Sequence, residues 1–141
     1  MSSLVTLDAS VFVNAFIPTE EGSDQSLEFV TKLRNEGIPL IQPTLFLPEV
    51  IASVARKKNN AELALALAND IKKSTNLTLI PLDENLADFA SEVAANNRLR
   101  GSDAVYAAVA LRFGTELITL DKEQLERLPK VLSVRAPKLL G

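Results

Sequence analysis

Leu4-Val5-Thr6-Leu7-Asp8-Ala9-Ser10-Val11-Phe12-Val13 decides how the rest of the chain is read. Its first four residues are apolar or β-branched and read as a short strand that ends at Asp8. Ser10 then offers an N-cap for a helical run through Val11, Phe12, Ala15 and Phe16. A strand that passes directly into a helix opens a β-α unit.

The same alternation continues along the chain. After a turn at Pro18 to Gly22, Ser23 or Asp24 caps a helix with apolar Leu27, Val30 and Leu33, closing at Gly37. Ile38 to Ile41 is a second expected strand. Pro43-Thr44 opens a helix running to about Lys58, and the Asn59-Asn60 turn separates it from an Ala/Leu-rich helix over Ala61 to Lys73. Leu77 to Ile80 is a third strand, Asp83 to Asn96 and Ser102 to Phe113 are helices, and Gly114 stops the second of them. Glu116 to Thr119 is the fourth strand, with Val131 to Val134 a candidate fifth. Short apolar strands alternating with helices predict an α/β protein whose parallel sheet is covered on both faces. With no repeat, low-complexity tract or linker, one domain over residues 1–141 is expected.

Composition narrows the chemistry. The 141 residues are 47% apolar but only 5% aromatic, so the core is built from Leu, Ile, Val and Ala. Cys and His are both absent. Thiol nucleophiles, disulfides, Cys/His zinc sites and Ser-His-Asp triads are thereby excluded, leaving carboxylates, hydroxyls, Lys/Arg or a hard metal. The net charge of −3 argues against a globally basic nucleic-acid-binding surface. Local clusters exist at Arg56-Lys57-Lys58, Lys72-Lys73 and Arg98-x-Arg100, and each alone reads more simply as a solvated helix end. No membrane partner is expected, because the run Ala104 to Leu111 is far short of the ~20 residues a span needs. Met1 to Asp8 has neither the basic start nor the apolar stretch of a signal peptide, so a cytoplasmic protein is expected.

Ligands of such sheets sit at the carboxyl ends of the strands. Asp8 follows the first strand, Asp121 lies just past the fourth, and Asp103 opens the helix that feeds it. Each acid has an innocent explanation. Asp8, Glu49 and Asp103 stand where helices begin, and Asp121 is placed to cap a turn over Lys122 to Leu128. Their surroundings point elsewhere: Glu49 lies between Leu45-Phe46-Leu47-Pro48 and Val50-Ile51-Ala52, and Asp103 precedes Ala104-Val105. Ionised carboxylates gathered in apolar sequence repel by roughly 4 kcal/mol per pair at an effective dielectric near 20, which raised pKa values or a bound cation relieve. An all-oxygen site suits Mg2+ or Mn2+ and implies phosphodiester hydrolysis. Ser10, Asn14 and Thr119 belong to the same neighbourhood and are candidates to orient the acids or a water. For these three a helix cap, a polar helix position and an ordinary strand Thr are the plainer readings.

Four segments in order carry a family resemblance: Leu7-Asp8-Ala9-Ser10-Val11-Phe12-Val13, Pro48-Glu49-Val50-Ile51-Ala52, Ser102-Asp103-Ala104-Val105-Tyr106-Ala107-Ala108 and Gly114-Thr115-Glu116-Leu117-Ile118-Thr119-Leu120-Asp121. Together they resemble the PIN-domain nucleases, in particular the small VapC-type toxins of toxin-antitoxin pairs. The resemblance implies a three-layer α/β/α sandwich with a parallel sheet of four to five strands. It implies a Mg2+- or Mn2+-dependent endoribonuclease with Asp8 and Asp103 as leading metal ligands and Glu49 and Asp121 completing the set. It also implies a homodimer and an antitoxin that occludes the acidic pocket with a basic side chain. Leu120 and Ser102 depart from the residues common in the family, and neither departure removes an acid.

Arg98 and Arg100, just before Asp103, are candidate RNA-positioning residues. A haloacid-dehalogenase-type phosphatase would need a second Asp where Ser10 stands, and a receiver domain would need paired acids at the first strand. The remaining alternative is a PIN fold that binds RNA or a protein without cutting.

Overall fold

Five short strands, β1 (Val5–Leu7), β2 (Leu40–Pro43), β3 (Leu77–Ile80), β4 (Glu116–Ile118) and β5 (Val134–Arg135), form one parallel sheet in the order β3-β2-β1-β4-β5. The computed structural model describes residues 4–138, so the two ends of the expected 1–141 domain lie outside the described residues. Among the described residues seven helices connect the strands: α1 (Ala9–Phe16), α2 (Ser23–Asn35), α3 (Phe46–Lys58), α4 (Ala61–Lys72), α5 (Glu84–Asn97), α6 (Gly101–Phe113) and α7 (Lys122–Arg127). From β1 the chain steps through β2 to β3 in one direction, then jumps back past β2 and β1 to β4 and on to β5. Right-handed crossovers therefore put α1 to α4 on one face and α5 to α7 on the other. The packing follows: α1 contacts α2 and α3, α3 contacts α4, and α6 packs on α5 and across β1, β2 and β4. This is the α/β/α sandwich with a parallel sheet expected from the sequence.

Burial explains why these segments hold together. Val5, Leu7, Val11, Phe46, Val50, Leu86, Leu117 and Ile118 are all within the core. Each fully buried Val, Leu, Ile or Phe contributes roughly 1.5–3 kcal/mol relative to its exposed state. Helix α6 is buried continuously from Asp103 to Ala110, and its alanines at 104, 107, 108 and 110 let it lie close on the sheet. Among the described residues no helix is long and apolar enough to cross a membrane.

Element boundaries differ from the expected ones where local chemistry intervenes. The N-cap of α1 is Asp8 rather than Ser10, because the strand ends one residue into the turn and Val11 N–H already donates to the Asp8 carbonyl. The second strand starts at Leu40, not Ile38. Gly37, at φ +63°, and Ile38 donate to Arg34 and Leu33 carbonyls and thereby close α2. Pro43 is the last rung of β2 opposite Ile80 instead of a helix opener, and α3 begins at Phe46. The fifth strand comprises Val134 and Arg135, since Val131 and Leu132 N–H groups fold back onto the Leu128 carbonyl. The Asn pair behaves as expected: Asn59 ends α3 in the left-handed region, and the Asn60 side chain accepts from Leu63 N–H at 3.0 Å.

The sheet opens where it matters for the site. β1 and β2 share the rung Val5 to Leu40, and by Leu7 a side chain has replaced the backbone partner. Leu7 N–H donates to Gln42 Oε1 at 2.6 Å, and Gln42 Nε2 donates to the Leu7 carbonyl at 2.7 Å. On the other side Asp8 N–H donates to the Ile118 carbonyl at 2.9 Å. The direction of connection reverses between β1 and β4, which is where open α/β sheets form a ligand crevice.

Candidate active site

Asp8 leaves the carboxyl end of β1 buried, with 6% of its surface exposed. Its Oδ2 accepts from Ser10 Oγ at 2.5 Å and from Thr119 Oγ1 at 3.1 Å. Ser10 Oγ also accepts from Leu120 N–H and Thr119 Oγ1 from Asp121 N–H, so the two hydroxyls join Asp8 to the loop that carries Asp121. Burial pushes the Asp8 carboxyl above the usual carboxylate range against these hydrogen bonds, and the charge of Glu49 pushes the same way.

Asp103 stands in the first turn of α6, buried, on the other side of the reversal point. Burial raises its carboxyl too, and the nearby Asp8 and Asp121 charges add to the rise. Asp121 performs the capping role that sequence allows it, accepting from Gln124 N–H at 3.0 Å through Oδ1. Its Oδ2 faces Arg100.

Glu49 enters from α3. Its Oε1 accepts from the Tyr106 hydroxyl at 2.7 Å. Tyr106 is fully buried, and burial followed by the Glu49 charge drives its hydroxyl far above the normal tyrosine range, so it remains a donor. Tyr106 was not among the sequence candidates. A lone Tyr inside the apolar run of α6 is nevertheless a signal, because a buried hydroxyl needs a polar partner.

A cleft of about 560 Å3 brings these residues together: Asp8, Glu49, Asp103 and Asp121 line it with Ser10, Asn14 and Arg100. Thr119 lies just beneath, reaching it through Asp8. Asn14 forms no hydrogen bond with Asp8, Glu49, Asp103 or Asp121. It donates to Glu20 Oε1 and the Glu21 carbonyl and accepts from Ser26 Oγ, tying the turn before α2 to α1. Arg98 does not line the cleft. It ends α5 at φ 53°, and its carbonyl accepts from Arg127. Sequence reasoning did not place Glu20, Ser53, Arg56 and Lys57 in this cleft, where the structure puts them.

The donor set fits a hard divalent cation: oxygen only, with the Asp8 and Asp103 carboxyls raised first by burial and then by neighbouring carboxylate charge, from Glu49 on Asp8 and from Asp8 and Asp121 on Asp103. Among the described residues no group of three or more acidic side chains already forms a ready-made cage. Arg100 instead holds two of them together, with Nε 3.1 Å from Asp103 Oδ2 and Nη2 2.5 Å from Asp121 Oδ2.

Fold and site thus define an α/β/α protein with a carboxylate-lined cleft at the reversal point of its sheet. The chain belongs to the PIN domain family, whose model matches residues 5–131. It is similar in fold to the structure of VapBC2 from Rickettsia felis bound to a promoter DNA fragment, at 18% identity, a TM-score of 0.66, and coverage of 93% of this chain and 96% of that one. The sarcin-ricin-loop-cleaving toxin VapC20 of Mycobacterium tuberculosis is similar at 16% identity and a TM-score of 0.70, over 91% of this chain and 98% of that one. DNA-bound VapBC from Salmonella typhimurium gives 16% and 0.70, over 95% and 97%. No curated protein sequence matches the chain.

Proposed function

We propose that this chain is a metal-dependent endoribonuclease that hydrolyses RNA phosphodiester bonds in the cleft between β1 and β4, and that it serves as the toxin of a toxin-antitoxin pair. The observation that carries the reading is the convergence of Asp8, Glu49, Asp103 and Asp121 on one cleft at the sheet's reversal point.

Asp8, Asp103, Glu49 and Asp121 would hold Mg2+ or Mn2+, which when bound lowers the pKa of water and offsets charge on phosphate. The chain's own residues prepare that site. Ser10 and Thr119 fix the Asp8 carboxylate by donating to the same oxygen, which leaves its other oxygen directed by geometry instead of rotation. Tyr106 fixes Glu49 in the same manner. Arg100 lines the same cleft with an exposed side chain, and with a cation on the acids its guanidinium would be available to a substrate phosphate. Arg98 lies outside the cleft and acts, on this reading, only through the longer-range attraction of RNA.

Structures of like fold include a toxin-antitoxin complex from Klebsiella pneumoniae, which supports the toxin role. A homodimer, a protein antitoxin and a cytoplasmic site of action go with it. One observation favours the alternative, a PIN fold that binds without cutting: Arg100 already neutralises part of the acidic cluster. Calorimetric titration with Mn2+ separates the two. Wild type should bind the ion and an Asp8→Asn, Asp103→Asn double variant should not, whereas wild type that binds no Mn2+ would sink the nuclease reading.

A further inference from the structure

Helix α3 supplies a whole wall of the cleft: Glu49, Ala52, Ser53, Arg56 and Lys57 line it. Phe46, Val50 and Val54 are the core side of the same helix, so the cleft side is the adjacent strip. At 3.6 residues per turn, Glu49 and Arg56 fall on nearly one line, about 10 Å apart along the axis, with Ser53 between them. Ala52 is small and leaves the strip open.

The three cations in this cleft differ in what they are already doing. Arg100 is held by Asp103 and Asp121. Lys57 pairs with Glu20, which Asn14 also holds, and the Lys57 hydrogen bond keeps the Glu20 carboxyl below its ordinary range. Arg56 is exposed and forms no ion pair with an acid among the described residues. The favourable interaction of cations with a helix C-terminus accounts for three basic residues at the end of α3. It does not account for Arg56 lying in line with Glu49, since Lys58 shares that terminus and is outside the cleft.

We infer that Ser53 and Arg56 are substrate-positioning residues that hold the backbone of single-stranded RNA along α3, with Arg56 taking a phosphate away from the cut. The inference rests on the nuclease reading above. A strand laid from the acids along this wall meets the Ser53 hydroxyl first and the planar guanidinium fork of Arg56 next.

The test uses full-length Asp8→Asn protein, in which binding is read without cutting, and a labelled single-stranded RNA oligonucleotide titrated at several salt concentrations. Adding Arg56→Gln should reduce the slope of log Kd against log salt by about 0.7. Arg56→Lys should restore most of it, and Lys58→Gln should move it less. Steady-state cleavage by the single Arg56→Gln variant should show KM raised about tenfold. An unchanged slope, an equal change in Lys58→Gln, or no RNA binding by the Asp8→Asn protein overturns the inference. Mn2+ binding and cleavage by wild type judge the nuclease reading separately, so failure of one is not mistaken for failure of the other.

Discussion

Arg100 bridges Asp103 and Asp121, donating from Nε to one carboxylate and from Nη2 to the other. A guanidinium so placed occupies with its own charge the position a divalent cation would neutralise. Arg100 is largely exposed and costs little to move, so it competes weakly. Replacing it by Gln should tighten Mn2+ binding a few-fold, read by titration calorimetry. Weaker binding by Arg100→Gln would mean that the guanidinium gathers the acids for the ion.

The Asp8 carboxyl has its pKa raised from 3.8 by burial, with the Glu49 charge adding to the shift. A carboxyl raised in the folded state contributes stability that is complete below its unfolded pKa and is lost as pH rises through the folded one. Near neutral pH, without divalent ions, the Asp8 charge therefore opposes folding. Asp8→Asn keeps an oxygen for Ser10 and Thr119 and should raise Tm by a few degrees at pH 7. That gain should shrink as pH falls toward the ordinary carboxylate range. Thermal melts across pH check the sign, and a lower Tm at pH 7 would contradict it.

Tyr106→Phe preserves volume and removes the hydroxyl that donates to Glu49 Oε1. The loss should cost about 1 kcal/mol of stability and lower kcat/KM about tenfold. Urea titration and steady-state cleavage measure the two effects. A stability loss with undiminished turnover would make the bond a packing feature only.

Much of this architecture is legible in the sequence because strand and helix signals alternate cleanly. Leu4 to Asp8, Gly114 and the Asn59-Asn60 turn each fall where local propensity alone places them. The order of the strands is not local information: it depends on the long return from β3 to β4, which no residue pattern encodes. The misplaced starts of β2 and β5 share a cause, since Ile38 and Val131 are strand-like residues whose N–H groups are taken by a preceding helix end. In the site, acids stand out in apolar sequence, and Ser10 is near Asp8 by simple proximity. Gln42, which joins β1 to β2 through its side chain, and Tyr106, 57 positions from Glu49, act across the fold. Their chemistry is visible in the sequence only as polar groups in buried surroundings.

The most direct test is cleavage of labelled single-stranded RNA by pure protein with Mg2+, with Mn2+ and with a chelator, beside an Asp8→Asn, Asp103→Asn variant shown to be folded. The expected result is cutting that requires the metal and is absent from the variant. Cutting that persists in chelator or in the variant, or wild type that neither binds Mn2+ nor cuts, would contradict a carboxylate-held metal as the source of activity.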